Sequence, residues 1–203
     1  MKYTFPEYFK FGATGAGWQM DGETDKRPEQ MSYPHLMWES DRENWHLGLG
    51  PDVASDFYGH FREDIPLFYK AGIRQYRFNI DWSRFLDDYE NVVVNEKAAQ
   101  FYSDCIDLMI ANGIEPVLCL EHWELPAYLY KKYDGYASRH VQDLYVRYAA
   151  EAFKRYGDRV KKWFCFNEPM VIPELCFLNG FWWPKEHNPK RAYAWIHGKV
   201  MCT

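Results

Sequence analysis

Short apolar segments alternate along this chain with longer stretches in which hydrophobic residues recur at helical spacing. The short segments predict strands at 11–17, 75–80, 116–120 and 160–166. The longer stretches predict helices over 56–71, 95–112, 138–157 and 191–201. A strand followed by a helix, repeated in this way, is typical of a parallel sheet with helical crossovers.

The boundaries of these elements carry local signals of their own. Asn95 and Ser138 stand where an N-cap is expected, and a glycine follows each of the first three predicted helices. Pro66 predicts either a kink or a fresh helix start. Residues 23–52 are rich in turn formers, so we interpret them as one long loop, and loops of that length are often functional.

The last predicted strand has a well-defined end. Its aromatic-rich run, 160–166, indicates a buried parallel strand, and the dipeptide Asn167-Glu168 follows directly. Pro169 cannot donate to a sheet ladder and disfavours helical backbone at the residue before it. The sequence therefore places an amide and a carboxyl group side by side at the carboxyl end of a strand, which is where parallel α/β proteins do their chemistry.

The other predicted strands also end in polar or aromatic groups. The complete set is Gln19, Arg77, His122, Trp123, Asn167 and Glu168. Because the carboxyl ends of parallel strands meet at one edge of a sheet, we expect these side chains on a common face. A carboxyl group beside an amide, facing imidazole, guanidinium and indole groups, is suited to hold a polyol and to protonate a leaving oxygen.

Composition narrows the class of protein. The 203 residues carry a formal net charge of -5, which disfavours nucleic acid or an anionic membrane surface as a partner. No phosphate-binding glycine loop or metal-ligand spacing occurs, so we expect no nucleotide, cofactor or metal. The 5 cysteines are irregularly spaced and the first residues lack the apolar core of a signal peptide. We therefore expect reduced thiols in a cytoplasmic protein.

Four segments of the sequence resemble glycoside hydrolase family 1, the β-glucosidase and 6-phospho-β-glycosidase family. They are Phe11-Gly12-Ala13-Thr14 with Trp18-Gln19-Met20-Asp21-Gly22, then Tyr76-Arg77-Phe78-Asn79-Ile80-Asp81-Trp82, His122-Trp123-Glu124-Leu125-Pro126, and Phe166-Asn167-Glu168-Pro169. Their order and spacing match the family over the whole chain. The resemblance implies a (β/α)₈ TIM barrel, with residues 1–203 forming the N-terminal half and holding about its first four βα units.

The resemblance also implies roles for the convergent residues. Glu168 would be the general acid/base, and Asn167 would bond the sugar 2-hydroxyl. Gln19, His122 and Trp123 would hold the other hydroxyls. Arg77 would lie beneath the second carboxylate, the nucleophile, and keep it ionised.

The sequence departs from the family at several positions. The family's nucleophile belongs to a Glu-Asn-Gly-type motif that does not occur among these residues. Neither Glu121 nor Glu124 is a convincing substitute. Smaller departures are Asp21 where Glu is usual, Glu124 where Asp is usual, and Cys165 where Thr is usual. An arginine in a strand needs an acidic partner, so Arg77 would pair with the nucleophile, with Asp81 or with Glu121.

The function implied is retaining hydrolysis of a β-glucoside or a 6-phospho-β-glucoside. The alternative is a catalytically incomplete half-barrel that binds sugar or assembles with a complementary half. Four βα units cannot close a barrel, so the first and last strands would have free edges. We therefore expect the isolated chain to self-associate or to pair with a second half.

Overall fold

Six strands form two sheets in the structure, a computed structural model that describes residues 3–203. In chain order they are β1 Gly12–Thr14, β2 Gln75–Asn79, β3 Leu86–Asp88, β4 Val93–Val94, β5 Glu115–Cys119 and β6 Lys162–Phe164. The main sheet has the order β1-β2-β5-β6 and all of its pairings are parallel. Strands β3 and β4 form a small antiparallel pair.

Eight α-helices accompany the strands within the described residues. They are α1 Gly17–Met20, α2 Tyr33–Ser40, α3 Phe57–Lys70, α4 Trp82–Phe85, α5 Glu96–Ala111, α6 Ala127–Tyr133, α7 Arg139–Tyr156 and α8 Pro189–Val200. A π-helix covers Pro173–Leu178. The crossovers α3, α5 and α7 connect consecutive strands of the main sheet, so the predicted βα order and parallel sheet are confirmed.

The predicted helix boundaries are confirmed with some differences in detail. The Asn95 side chain accepts a hydrogen bond from the backbone N–H of Ala98 at 2.9 Å, as an N-cap should. Ser138 occupies the N-cap position of α7, but its side chain makes no capping hydrogen bond. Pro66 lies inside α3, which continues through it.

Strand β1 depends on its small residues. Gly12 pairs with Gln75 of β2, and a Cβ atom on Gly12 would lie 3.0 Å from the Gln75 carbonyl oxygen. That distance is too short for ordinary contact with backbone. The glycine therefore allows the neighbouring strand to approach closely.

The interpretation of residues 23–52 as one loop was wrong. Helix α2 lies within this segment, and short 3₁₀ helices surround it. Ser32 caps α2 by accepting a hydrogen bond from His35 N at 3.4 Å, and Pro34 stands in the first turn, where its missing N–H costs nothing. Turn-forming residues here mark the start of a helix. Helix α6 was missed as well.

The expectation that 160–166 is a buried strand was also wrong. The strand is only three residues long, Lys162–Phe164, and its Phe164 side chain is 48% exposed. Strand β6 is an edge of the sheet, with β5 on one side, and β1 is the other edge. An apolar strand becomes exposed when no neighbour covers its second side. Lys161 and Lys162, where the chain enters the strand, are both exposed.

The core lies between the main sheet and its helices and is rich in aromatic side chains. Trp82 and Trp195 are fully buried, while Trp163 is half-buried at the edge of the core. The Tyr148 hydroxyl donates to the carbonyl oxygens of Ile80 and Leu120, at 3.1 and 2.8 Å. This buried tyrosine ties the ends of β2 and β5 together, directly beneath the carboxyl face.

Among the described residues, no helix combines the length and apolarity required to cross a bilayer.

Candidate active site

Asn167 and Glu168 follow β6 at its carboxyl end. The backbone N–H of Asn167 donates to the carbonyl oxygen of Glu121, just beyond β5, at 2.9 Å, and the Asn167 side chain is buried. Glu168 is exposed to solvent and has a positive φ of 44°. Non-glycine residues seldom adopt this left-handed backbone, and strained positions of this kind cluster at functional sites.

Arg77 connects three strands at this face. Its Nε donates to Thr14 Oγ1 at 2.8 Å, and its Nη2 donates to Asn167 Oδ1 at 2.7 Å. Of the acidic partners considered from the sequence, Asp81 pairs with Lys26 and Glu121 pairs with Lys199, each at 3.1 Å. The Arg77 guanidinium therefore binds a hydroxyl and an amide here, and it links Asn167, after β6, to Thr14 of β1.

His122 and Trp123 follow β5. Burial lowers the pKa of His122 to about 4, and the positive charges of Arg77 and Lys199 act in the same direction. The ring is therefore neutral at pH 7, and its Nδ1 is buried without a hydrogen-bond partner among the described residues. The indole Nε1 of Trp123 is also buried without a hydrogen-bond partner among the described residues. Both ring nitrogens are thus buried polar groups whose hydrogen bonds are not satisfied by the described residues.

Gln19 lies in α1, directly beyond β1, and is exposed. Its neighbour Trp18 stacks on Trp123 with ring centroids 5.6 Å apart and an angle of 21° between the planes. This contact joins the segment after β1 to the segment after β5. The structure thus brings the residues after all four strands of the main sheet to one face, as the parallel arrangement predicted.

A cavity of about 220 Å³ opens beside the Trp18–Trp123 stack. Its lining residues are Trp18, Pro34, Met37, Asp41, Asn44, Trp45, His46, Trp123, Trp182 and Trp183. Sequence reasoning missed most of them because they come from α2, from 3₁₀ turns and from an irregular segment after the π-helix, where no periodicity marks a face. Two indoles of the segment 181–184, Trp182 and Trp183, are among the lining residues.

The electrostatics of the face determine which chemistry is available. Arg77 supplies a fixed positive charge, His122 supplies a neutral ring with one free nitrogen, and Glu168 supplies a solvent-accessible carboxyl group. Within residues 3–203 there is no group of three or more His, Cys, Asp or Glu side chains that could hold a metal ion. The face therefore presents a cation, a neutral imidazole ring, amide groups and an exposed carboxyl group.

The pKa of His122 predicts a pH-dependent contribution to stability. The folded value of about 4 lies below the roughly 6.5 of an unfolded histidine, so the unfolded chain binds the proton more readily between these values. The contribution is complete above the unfolded pKa and is lost as the pH falls towards 4. We expect the advantage of wild type over His122→Gln to shrink by about 2–3 kcal/mol, measured by urea unfolding from pH 7 to pH 4.

Asp21 provides a control of opposite sign. Burial raises the pKa of Asp21 to about 7, with Arg84 opposing and Asp81 adding to the increase. Its contribution to stability is therefore present at low pH and is lost as the pH rises towards 7. The stability of Asp21→Asn relative to wild type should rise with pH over this window. A His122→Gln difference that stays constant with pH would contradict the prediction.

Comparison with known sequences places these residues in a family. The profile described as Glycosyl hydrolase family 1 matches residues 1–203. The chain is 36% identical over 191 residues to the 6-phospho-beta-glucosidase GmuD of Bacillus subtilis, covering 94% of this chain and 41% of that protein. It is 35% identical over 193 residues to beta-glucosidase A of Thermotoga maritima, covering 95% of this chain and 43% of the relative.

Comparison with solved structures leads to the same family. The family 1 β-glucosidase from Thermotoga maritima superposes with a TM-score of 0.89 at 34% identity, over 98% of this chain and 44% of that chain. The same enzyme in complex with deoxynojirimycin gives the same TM-score and identity over 98% of this chain and 45% of that one. The chain thus spans less than half the length of these relatives. Its parallel sheet with alternating helices is part of a TIM barrel.

Proposed function

The chain belongs to glycosyl hydrolase family 1, and on that basis we propose that it supplies the acid/base half of the active site of a retaining β-glycosidase. The observation that carries the proposal is the arrangement at the end of β6. Asn167 and Glu168 follow this strand directly, and Arg77 binds the Asn167 side chain at 2.7 Å. The amide, the carboxyl group and the cation therefore occupy one point on the carboxyl face.

Glu168 is proposed to act twice in the reaction. Its carboxyl group first donates a proton to the glycosidic oxygen as the bond to the anomeric carbon breaks, and the aglycone leaves as an alcohol. The resulting carboxylate then takes a proton from the water that attacks the glycosyl intermediate, which restores the acid. Solvent exposure of Glu168 and its strained φ of 44° support this role, because strained positions cluster at functional sites and an exposed carboxyl group can reach a ligand.

Asn167 is proposed to bind a sugar hydroxyl through its amide nitrogen. Its Oδ1 accepts from Arg77 at 2.7 Å, which fixes the orientation of the amide. The Nδ2 group is then the donor left for a ligand. Gln19 from α1, the neutral His122 ring and the Trp123 indole are proposed to bind the remaining hydroxyls, and two of these residues carry buried, unpaired ring nitrogens that suit the task.

The nucleophile is proposed to come from the remainder of the barrel. A retaining mechanism requires a second carboxyl group about 5–5.5 Å from the first. The chain spans 41–45% of the length of the relatives described above, and strands β1 and β6 are the edges of its sheet. Arg77 lies close to both edges, since it contacts Thr14 of β1 and Asn167 after β6. A carboxylate arriving from a neighbouring strand would find this cation in place.

The substrate class is proposed to be a β-glucoside or its 6-phosphate. The relatives include a 6-phospho-beta-glucosidase and several beta-glucosidases at similar identity, so they support both. Five of the ten residues that line the cavity beside Trp18 and Trp123 are tryptophans, which suits an apolar aglycone.

The test is hydrolysis of an aryl β-glucoside and of its 6-phosphate, by the chain alone and by the chain mixed with the remaining C-terminal part of Thermotoga maritima beta-glucosidase A. We expect turnover only when both parts are present, because only then are two carboxyl groups available. Glu168→Gln should lower steady-state turnover strongly, because hydrolysis of the glycosyl intermediate needs its base, whereas Glu63→Gln, at a side chain that is 80% exposed, should not. A faster rate on the phosphorylated substrate would identify the class.

A second candidate is a half-barrel that binds sugar without turnover. The free edges of β1 and β6 and the exposed Phe164 favour it, because such edges pair with other chains. We then expect light scattering to show self-association of the isolated chain. A monomer that hydrolyses the glucoside without any added segment would contradict both this candidate and the need for a second half.

A further inference from the structure

Helix α1 begins without a cap of its own. Ala16 precedes it and has no side-chain acceptor, so the N–H groups of the first turn need partners from elsewhere. Gly17 N donates to Asn79 Oδ1 at 2.6 Å, and Trp18 N donates to Glu124 Oε1 at 3.0 Å. Asn79 ends β2 and Glu124 follows β5. The helix that carries Gln19 is therefore capped entirely by its neighbours in the sheet.

Glu124 makes a second hydrogen bond. Its Oε2 accepts from the backbone N–H of His122 at 3.1 Å. The residue is completely buried, with 0% of its surface exposed. One carboxyl group thus bridges the backbone of Trp18, after β1, and the backbone of His122, after β5.

The space around this bridge is tight. A Cβ atom on Gly17 would lie 3.1 Å from Glu124 Oε1, so the glycine allows the carboxyl group to reach α1. The bridge joins the backbones of Trp18 and His122. The ring of Trp18 also stacks on Trp123, the residue after His122, with ring centroids 5.6 Å apart. A shift of the carboxyl group would therefore move both segments of the face.

We propose that Glu124 is a positioning residue for sugar binding, which fixes Gln19 relative to His122 and Trp123 without touching the sugar. The inference rests on the proposed function, since those three residues are the proposed hydroxyl ligands. A carboxyl group is suited to the task because each of its two oxygens accepts one backbone N–H. A glutamine in its place has one acceptor oxygen and one amide donor, so one N–H would face a second donor.

The experiment is a double-mutant cycle on the full chain, with deoxynojirimycin as the probe and its dissociation constant as the readout. Glu124→Gln should weaken binding about tenfold, because one buried donor loses its partner. Gln19→Ala removes the proposed ligand directly. If Glu124 acts through Gln19, the dissociation constant of the double variant should be little higher than that of whichever single variant binds the probe less tightly. Strictly additive losses would overturn the positioning role, because a general loss of structure has no reason to depend on Gln19.

Amide hydrogen exchange provides a readout that does not require the sugar. Glu124→Gln should increase exchange at whichever of the Trp18 and His122 amides loses its acceptor, while amides in the core of α7 keep their protection. Glu63→Gln is the matched control and should change neither group. Unchanged exchange at both amides would show that the bridge is absent and would overturn the inference. A wild-type chain that fails to bind the probe, with the exchange result as expected, would instead overturn the proposed function and the sugar role of Glu124 with it.

Discussion

Glu168→Gln is expected to lower kcat/KM for an alkyl β-glucoside by about 10²–10⁴-fold. The same change should have a much smaller effect on a dinitrophenyl β-glucoside. An alkoxide is a poor leaving group and needs a proton as the glycosidic bond breaks, whereas a dinitrophenolate leaves without one. Glutamine has nearly the same shape as glutamate and cannot give up a proton, so the comparison isolates proton donation from binding. The measurement is the dependence of kcat/KM on the pKa of the leaving group, in the preparation that contains both parts of the barrel.

The control for this prediction is a variant that weakens binding without changing proton donation. Asn167→Ala removes the side chain that Arg77 holds at 2.7 Å, and it should lower the rates for both leaving groups to a similar extent. If Glu168→Gln reduced the two rates equally, the residue would be a binding group, and the acid/base would have to lie elsewhere.

Much of the fold could be predicted because periodicity and caps act locally. The crossover helices α3, α5 and α7 have clear hydrophobic faces and end at glycines, and the parallel order of the strands follows from their alternation with helices. The short helices α2 and α6 could not be predicted in this way. They have eight and seven residues, too few to display a periodic face, and tertiary contacts decide their conformation.

Some features of the candidate site could be predicted from the sequence, and others could not. Placing Asn167, His122 and Gln19 on one face required only the topology, and the structure does bring them to that face. The partner of Arg77 could not be predicted, since the choice between Asp81, Glu121 and Asn167 depends on side-chain reach across the sheet. The exposure of β6 was missed because the sequence pattern of an apolar strand does not show whether a second strand lies beside it. The hydrogen-bond partner of Arg77 and the exposure of β6 both depend on residues that are distant in sequence.

The ion pair between Lys199 and Glu121 lies where α8 crosses the ends of the strands. Lys199 Nζ is 3.1 Å from Glu121 Oε2, and both side chains are 1% exposed. The ammonium also lies 5.1 and 5.2 Å from the centres of the Tyr136 and Phe166 rings. A buried pair of this kind adds little compared with apolar residues of the same size, because desolvation offsets the attraction. Removing one partner is different, because it leaves the other charge buried and unpaired.

Lys199→Met is therefore expected to lower the free energy of unfolding by about 3–5 kcal/mol at pH 7. The double variant Lys199→Met with Glu121→Leu should recover most of that loss, because no charge then remains in the site. Arg155→Met is the matched control: it breaks the ion pair with Glu96, which is 74% exposed, and should cost no more than about 1 kcal/mol. Urea unfolding of the four proteins measures all three differences. Equal losses in the single and double Lys199 variants would mean that Lys199 stabilises α8 through its contacts with Tyr136 and Phe166, with no contribution from charge pairing.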